Sequence, residues 1–230
     1  MPVVSFANPK GGVGKSTTAL VLGTTLANAG HKVTIIDADP RQVLHYWRTS
    51  GTSKNPVNVI GNVTESNVIR LIQERAAIDE VVLVDLEGTA SLVLSRAISR
   101  SDLILIPMQA ASLDALGAGE VLGLIEQEEE AYNRKIDARI IFTRTNPAIT
   151  TKIERQIIDS LKNQGRPHLK THLFQRQAYN AMFAALADLD ELVDYDIANL
   201  NKAQKNASDL ADELVSILAE QQAHEENDHV

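Results

Sequence analysis

Lys10 and Lys15 bracket three glycines in the stretch Ala7-Asn8-Pro9-Lys10-Gly11-Gly12-Val13-Gly14-Lys15-Ser16-Thr17. The end of this run fits a phosphate-binding loop of the form G-x-x-x-x-G-K-[ST], except that Pro9 stands where the first glycine belongs. Glycines let successive backbone N–H groups turn inward and wrap phosphate oxygens. A helix starting near Lys15 would add its positive end. In that arrangement Gly11, Gly12, Val13, Gly14, Lys15, Ser16 and Thr17 cradle a nucleoside triphosphate. Lys15 reaches the β- and γ-phosphates, and the Ser16 hydroxyl binds Mg²⁺. The loop's own nucleotide leaves Lys10 without a task.

Acids follow at the ends of apolar runs. Asp85 closes Val81–Asp85 (VVLVD), where a carboxylate can hold Mg²⁺, usually through water. Asp37 and Asp39 lie in Asp37-Ala38-Asp39-Pro40-Arg41. The two need not share a role. One would approach the metal, and the other would orient an attacking water. Glu87 reads as a loop acid. The six histidines form no metal-site spacing.

These residues need a scaffold that gathers them. Val3–Ala7, Lys32–Asp37, Val81–Asp85, Leu103–Pro107 and Ala138–Thr143 read as strands, with shorter candidates at Val57–Ile60 and Lys170–Phe174. Helical patterns cover Lys15–Ala29, stopped by Gly30, as well as Glu65–Ala77, Thr150–Leu161 and a terminal segment after Asp209. Strands that are apolar throughout imply a sheet covered on both faces, and strand–helix alternation implies parallel pairing. The fold class is therefore α/β, a doubly wound, mostly parallel sheet with helices on both faces. Ligands in such sheets bind beyond the carboxyl ends of the strands, where Lys10–Ser16, Asp37, Asp39 and Asp85 all stand. In Gln42–Gly51 (QVLHYWRTSG), Trp47 and Leu44 are expected to cover the core beside the Asp37–Arg41 segment.

The stretch Pro9 to Ser16 resembles the deviant Walker A box, x-K-G-G-x-G-K-[ST], of the ParA/MinD superfamily of P-loop ATPases. Asp37–Arg41 (DADPR) resembles that superfamily's D-x-D-P-Q segment, and Val81–Gly88 (VVLVDLEG) its second switch. The order and spacing match over about residues 1–145. The resemblance implies ATP and Mg²⁺ as ligands and an ATP-dependent homodimer. Two subunits would sandwich two nucleotides, with Lys10 reaching across to the partner's phosphates. Asp39 would orient or activate the water, and slow hydrolysis would loosen the dimer. Pro9 is then no defect, since Gly11, Gly12 and Gly14 carry the turn. Arg41 departs from the glutamine of the pattern, and Leu86-Glu87-Gly88 departs from the common second switch. Thr143, Arg144 and Asn146 lie where members of the superfamily recognise the base. Residues 1–222 are expected to form one P-loop ATPase domain and 223–230 a polar tail.

Charge sharpens the branch. The chain has 230 residues, 44% hydrophobic and 23% charged, with no cysteine. That excludes disulfides, Fe–S clusters and cysteine nucleophiles. The net charge is −8, yet residues 134–176 carry ten Lys/Arg against three acids. Arg144, Lys152, Arg155, Lys162, Arg166 and Lys170 are candidates for nonspecific contact with double-stranded DNA, as in ParA-type cargo partitioning. From Asp209 onward there are seven acids and no lysine or arginine. That ending suits no anionic bilayer, against a MinD-like membrane role, for which a basic amphipathic helix is needed. The resemblance implies a cytoplasmic, nucleoid-associated partition ATPase that acts with an activating partner of ParB type or a cargo adaptor. A small-molecule phosphoryl-transfer enzyme on the same fold is a further alternative. Trp47 after the D-x-D segment is also similar to small ParA-like proteins associated with conjugative DNA transfer.

Overall fold

Runs of β-branched and aliphatic residues with no polar alternation pack only where both faces of a sheet are covered. In the computed structural model, which describes residues 1–88, 91–110 and 112–228 (side chains of 112–117, 132 and 224–228 excepted), four such runs form the centre of one seven-stranded sheet. The strands are β1 (Val3–Phe6), β2 (Val33–Ala38), β3 (Asn58–Ile60), β4 (Val81–Leu86), β5 (Leu103–Met108), β6 (Asp137–Thr145) and β7 (Leu173–Phe174), and the four runs are β1, β2, β4 and β5. Their order is β3-β2-β4-β1-β5-β6-β7, and every pairing is parallel.

Strand alternation divides the core in two. Val4 and Phe6 of β1 enter one cluster, while Val3 enters the other. The first cluster is covered by α1 (Lys15–Asn28), α2 (Val43–Ser50), α7 (Gln177–Ala185) and α8 (Leu200–Asp228). The second is covered by α3 (Val68–Ala76), α4 (Leu92–Ile98) and α5 (Ser112–Tyr132), with α6 (Lys152–Asn163) packed at its edge. The expected doubly wound parallel sheet is thus the observed one.

Register brings the chemistry together. Phe6 of β1 and Asp37 of β2 are both Cα partners of Asp85 on β4. The loop after β1 therefore emerges beside both acids. Gly88, just beyond β4, abuts that loop closely: a Cβ there would lie 2.5 Å from the Pro9 carbonyl oxygen. Within the loop, Gly12 and Gly14 take φ of +78° and +103°, a region that other residues avoid.

Several boundaries differ from the sequence expectation. α2 has no local N-cap signal, because Gln42 at its start sits in the left-handed region at φ 47° and makes no side-chain cap. Its first turn is instead capped from β2, as described below. β6 extends past Thr143 to Thr145 through an irregularity at Arg144, whose φ is 54°. β7 is only two residues long, because the polar stretch before it bonds to α8 through Glu213. α8 starts at Leu200, ahead of Asp209, and continues to Asp228 through the residues expected as a tail. His229 lies outside the described residues.

Trp47 and Leu44 are fully buried, and the Trp47 indole N–H donates to the Met182 carbonyl oxygen at 3.1 Å. They anchor α2 to the α7 side of the core, as the sequence suggests. Trp47→Ala should cost about 3–5 kcal/mol, read as a lowered urea midpoint at unchanged slope by circular dichroism.

Candidate active site

The phosphate loop is fastened from three sides. Asn8 donates from Nδ2 to the Pro107 carbonyl of β5 at 2.8 Å and accepts from the Lys10 N–H at 2.9 Å. The Thr143 hydroxyl of β6 donates to the Val13 carbonyl at 2.6 Å. Thr18 closes the first turn of α1 by donating from its hydroxyl to the Gly14 carbonyl at 2.7 Å. A site held by neighbouring strands keeps its backbone N–H groups aimed before any ligand arrives.

The two lysines face different worlds. Lys15 is 7% exposed and donates from Nζ to the Asn8 carbonyl at 3.0 Å. Burial lowers its pKa, opposed by the charges of Asp85 and Asp39. Lys10 is exposed. A cavity of about 150 Å³ is lined by Gly11, Gly12, Gly14, Lys15, Ser16, Thr17, Asp39, Arg41, Val43 and Arg144, and Lys10 is not among them.

The three acids separate by role. Asp85 is fully buried, and neither carboxylate oxygen has a hydrogen-bond partner among the described residues. Burial raises its pKa to about 7, with the adjacent Ser16 hydroxyl and then the Lys15 charge pulling it back. Asp37 is committed elsewhere: its Oδ2 accepts the N–H groups of Leu44 and His45, each at 2.9 Å, and so caps α2. Burial raises its pKa too, and those backbone bonds oppose the rise. Asp39 lines the cavity, and its Oδ1 accepts the Arg41 N–H at 2.9 Å. The Glu87 charge also opposes the fall in the Lys15 pKa, and Glu87 lines neither this cavity nor the next one.

A second cavity, of about 130 Å³, shares Gly14, Thr17 and Arg144 with the first. Thr143, Phe174, Arg176, Tyr179 and Asn180 line it. Sequence reading found Thr143 and Arg144 but missed the residues from β7 and α7, which no local pattern marks. The Arg176 guanidinium lies 5.6 Å from the Phe174 ring centroid, and its buried Nε has no hydrogen-bond partner among the described residues. Asn146 does not line either cavity.

The basic segment resolves into parts with different surroundings. Arg134, Lys135, Arg139 and Arg166 pair with Asp102, Glu129, Asp137 and Glu126. Arg166 also lines a cavity of about 460 Å³ between α5 and β6, away from the phosphate loop. Arg144 belongs to the phosphate cavity. Lys152, Arg155 and Lys162 are exposed on α6, within about 80° of arc at about 100° per residue. Lys170 is exposed beyond α6, with its backbone N–H held by Glu213 at 2.7 Å.

Asp85 sets a pH dependence. The folded chain keeps a proton there up to about pH 7, whereas an unperturbed carboxyl releases it near 3.8. The folded state binds more protons in that window, so stability falls as pH rises through it. In EDTA, the wild type should lose on the order of a few kcal/mol relative to Asp85→Asn between pH 4.5 and 8. Urea midpoints across that range, with the variant the more stable at pH 8, check it.

A family model described as VirC1 protein matches residues 1–220. Protein ParA of Rhizobium radiobacter is 45% identical over 183 residues, covering 80% of this chain and 82% of that protein. Among solved structures, the Cyanothece McdA–ATP complex superposes with a TM-score of 0.72 at 18% identity, covering 93% of this chain and 96% of that one. A putative plasmid partition protein from Borrelia burgdorferi, bound to AMPPNP, gives 0.64 at 19% identity, covering 90% and 97%. With its family model matched almost end to end and 45% identity across four-fifths of its length, the chain belongs to the VirC1 family of ParA-like proteins.

Proposed function

We propose that the protein is a Mg²⁺-dependent ATPase that dimerises around ATP and uses hydrolysis to position DNA or a cargo. The observation that carries this is the opposite placement of the two loop lysines. Lys15 is buried in the chain's own cradle, while Lys10 is exposed and outside that cradle's lining. A mobile cation on the rim suits a phosphate supplied by a second copy.

The chain's own residues divide the work. Backbone N–H groups from Gly11 to Thr17 hold the phosphates, and Lys15 neutralises the β- and γ-oxygens. Asp39 orients water for attack on the γ-phosphorus. The new P–O bond forms as the β–γ bridging bond breaks, giving ADP, inorganic phosphate and a proton. Ser16 and Asp85 would hold Mg²⁺, since Asp85 offers two buried oxygens without partners beside the Ser16 hydroxyl. Bound there, the ion supplies charge that offsets the phosphates. Asp37, whose Oδ2 caps α2, serves as a positioning residue beside the ion, with Oδ1 turned to the Asp39 N–H. The cavity of Phe174, Arg176, Thr143 and Asn180 is the place for the base, with the Phe174 ring and the Arg176 guanidinium as planar groups on which it could stack.

ATP-dependent DNA binding would use the α6 face of Lys152, Arg155 and Lys162 with Lys170. None of these four side chains is ion-paired with an acid among the described residues, unlike Arg134, Lys135, Arg139 and Arg166. Arg144 and Arg166 leave the DNA set, one for the nucleotide and one for Glu126. This reading places the protein in the cytoplasm and on the nucleoid when ATP-bound, with a ParB-type activator or cargo adaptor as its partner. Among the described residues no helix is long and apolar enough to cross a membrane.

Lys15→Ala should abolish ATP binding. Lys10→Ala should keep monomeric binding but lose the ATP dimer, read by light scattering and phosphate release; normal dimerisation and turnover would refute the cross-subunit role. Asp39→Ala should accumulate an ATP-bound dimer. Replacing Lys152, Arg155 and Lys162 with glutamine should weaken binding to random duplex. It should also flatten the salt dependence by about 0.9 in log–log slope per lost phosphate contact. Gel shifts with ATP, ADP and no nucleotide check it, and retention of full binding would exclude this face.

A further inference from the structure

Arg41 departs from the sequence pattern that it otherwise follows, and the fold puts it across the mouth of the phosphate cradle. Its placement begins in the backbone. The Arg41 N–H bonds Asp39 Oδ1 at 2.9 Å, so the turn through Pro40 fixes residue 41 relative to Asp39. The side chain then extends over the loop. Nε lies 3.7 Å from Asp39 Oδ1, and Nη2 lies 4.0 Å from the point a Gly11 Cβ would occupy. The guanidinium thus spans from Asp39 to the glycine that opens the cradle, and it lines the same cavity as Lys15, Ser16 and Thr17. Its charge reaches the cradle interior, where it helps lower the Lys15 pKa.

Little holds the guanidinium in that pose. The Arg41 side chain is 77% exposed, and its ion pair with Asp39 is a long, solvent-screened one. A triphosphate in the cradle would bring several negative oxygens within the same reach. A planar guanidinium binds such oxygens in pairs, with shorter and stronger bonds than it makes to one distant carboxylate oxygen. Arg41 and the loop N–H groups would close on the terminal phosphate from opposite sides. Glutamine at this position, the residue of the resembled pattern, would bring no charge.

We propose that Arg41 is a phosphate-contacting residue supplied by the chain's own switch segment: it leaves Asp39 for the terminal phosphate of bound ATP and frees the Asp39 carboxylate to face the attacking water. The inference rests on reading the cradle as an ATP site. It adds a cation in cis to Lys15 and to the partner's Lys10. An arginine aimed at the transferring group stabilises the charge that develops during phosphoryl transfer.

The test compares ATP with ADP, since only ATP carries the terminal phosphate. Fluorescent analogues of both would be titrated against wild type, Arg41→Ala, Arg41→Gln and Arg41→Lys with Mg²⁺, alongside single-turnover hydrolysis. Arg41→Ala should weaken ATP about tenfold more than ADP and slow hydrolysis at least tenfold. Arg41→Lys should recover part of both, and the nucleotide-free melting temperature should not move. Equal losses for ATP and ADP, no loss, or faster hydrolysis would overturn the proposal. Faster hydrolysis would make Arg41 a restraint on Asp39 instead. Lys15→Ala separates the two levels: if it still binds ATP, the cradle reading itself fails, whatever Arg41 does.

Discussion

Asp85 is held where its buried carboxyl has little beside it but the Ser16 hydroxyl. Both oxygens are sealed at the end of β4 with no partner among the described residues, at a cost of about 1–3 kcal/mol for each unsatisfied polar group. A fold keeps such a group only if something else needs it there. The neighbours say what that is. Ser16 stands beside it, Lys15 lowers its pKa from across the cradle, and Asp37 is its register partner on β2. The remaining site is arranged around a hole in charge that a divalent ion and a triphosphate together would fill.

From that centre the strand period explains the division among the acids. Asp37 and Asp39 are two residues apart, but β2 ends at Ala38, so only Asp37 obeys the sheet. Its carboxylate caps α2 through Leu44 and His45, and α2 is in turn pinned to the core by Leu44 and Trp47. The segment from Asp39 to Gln42 therefore hangs between two fixed ends. It carries Asp39 and Arg41 to the cradle, and Gln42 turns it through a left-handed conformation at φ 47°. A short span with rigid anchors is suited to two discrete poses, which is what sensing a single phosphate demands.

The parts of this site that local sequence declared were those whose physics is local. Gly11 to Ser16 announce a phosphate loop because positive φ and N–H clustering need glycines at set spacing. The apolar runs of β1, β2, β4 and β5 announce a covered parallel sheet. What stayed hidden depends on contacts far apart in the chain. α2 went unread because its cap comes from Asp37 and not from its own first residue. Phe174, Arg176 and Asn180 carry no motif and reach the site only through the pairing of β7 with β6. The local charge excess of residues 134–176 overstated the free basic surface. Asp102, Glu126, Glu129 and Asp137 neutralise four of its members, two of them from α5 and one from the segment before β5.

Burial, more than residue type, decides what a lysine does here. Lys15 spends its charge inward: the Asn8 carbonyl, Asp85 and Asp39 surround it, and burial already lowers its pKa. Its desolvation is acceptable only because the site is acidic before phosphate binds and remains anionic afterwards. Lys10 pays no such penalty at the exposed start of the loop, where Asn8 fixes its backbone through Oδ1. A rim cation held by its main chain, with a flexible stem, can neutralise charge that arrives from outside at little entropic cost to the loop. In the proposed dimer the same glycine turn would serve two nucleotides with one geometry, and Gly88 packs against the Pro9 carbonyl and closes that side of the loop.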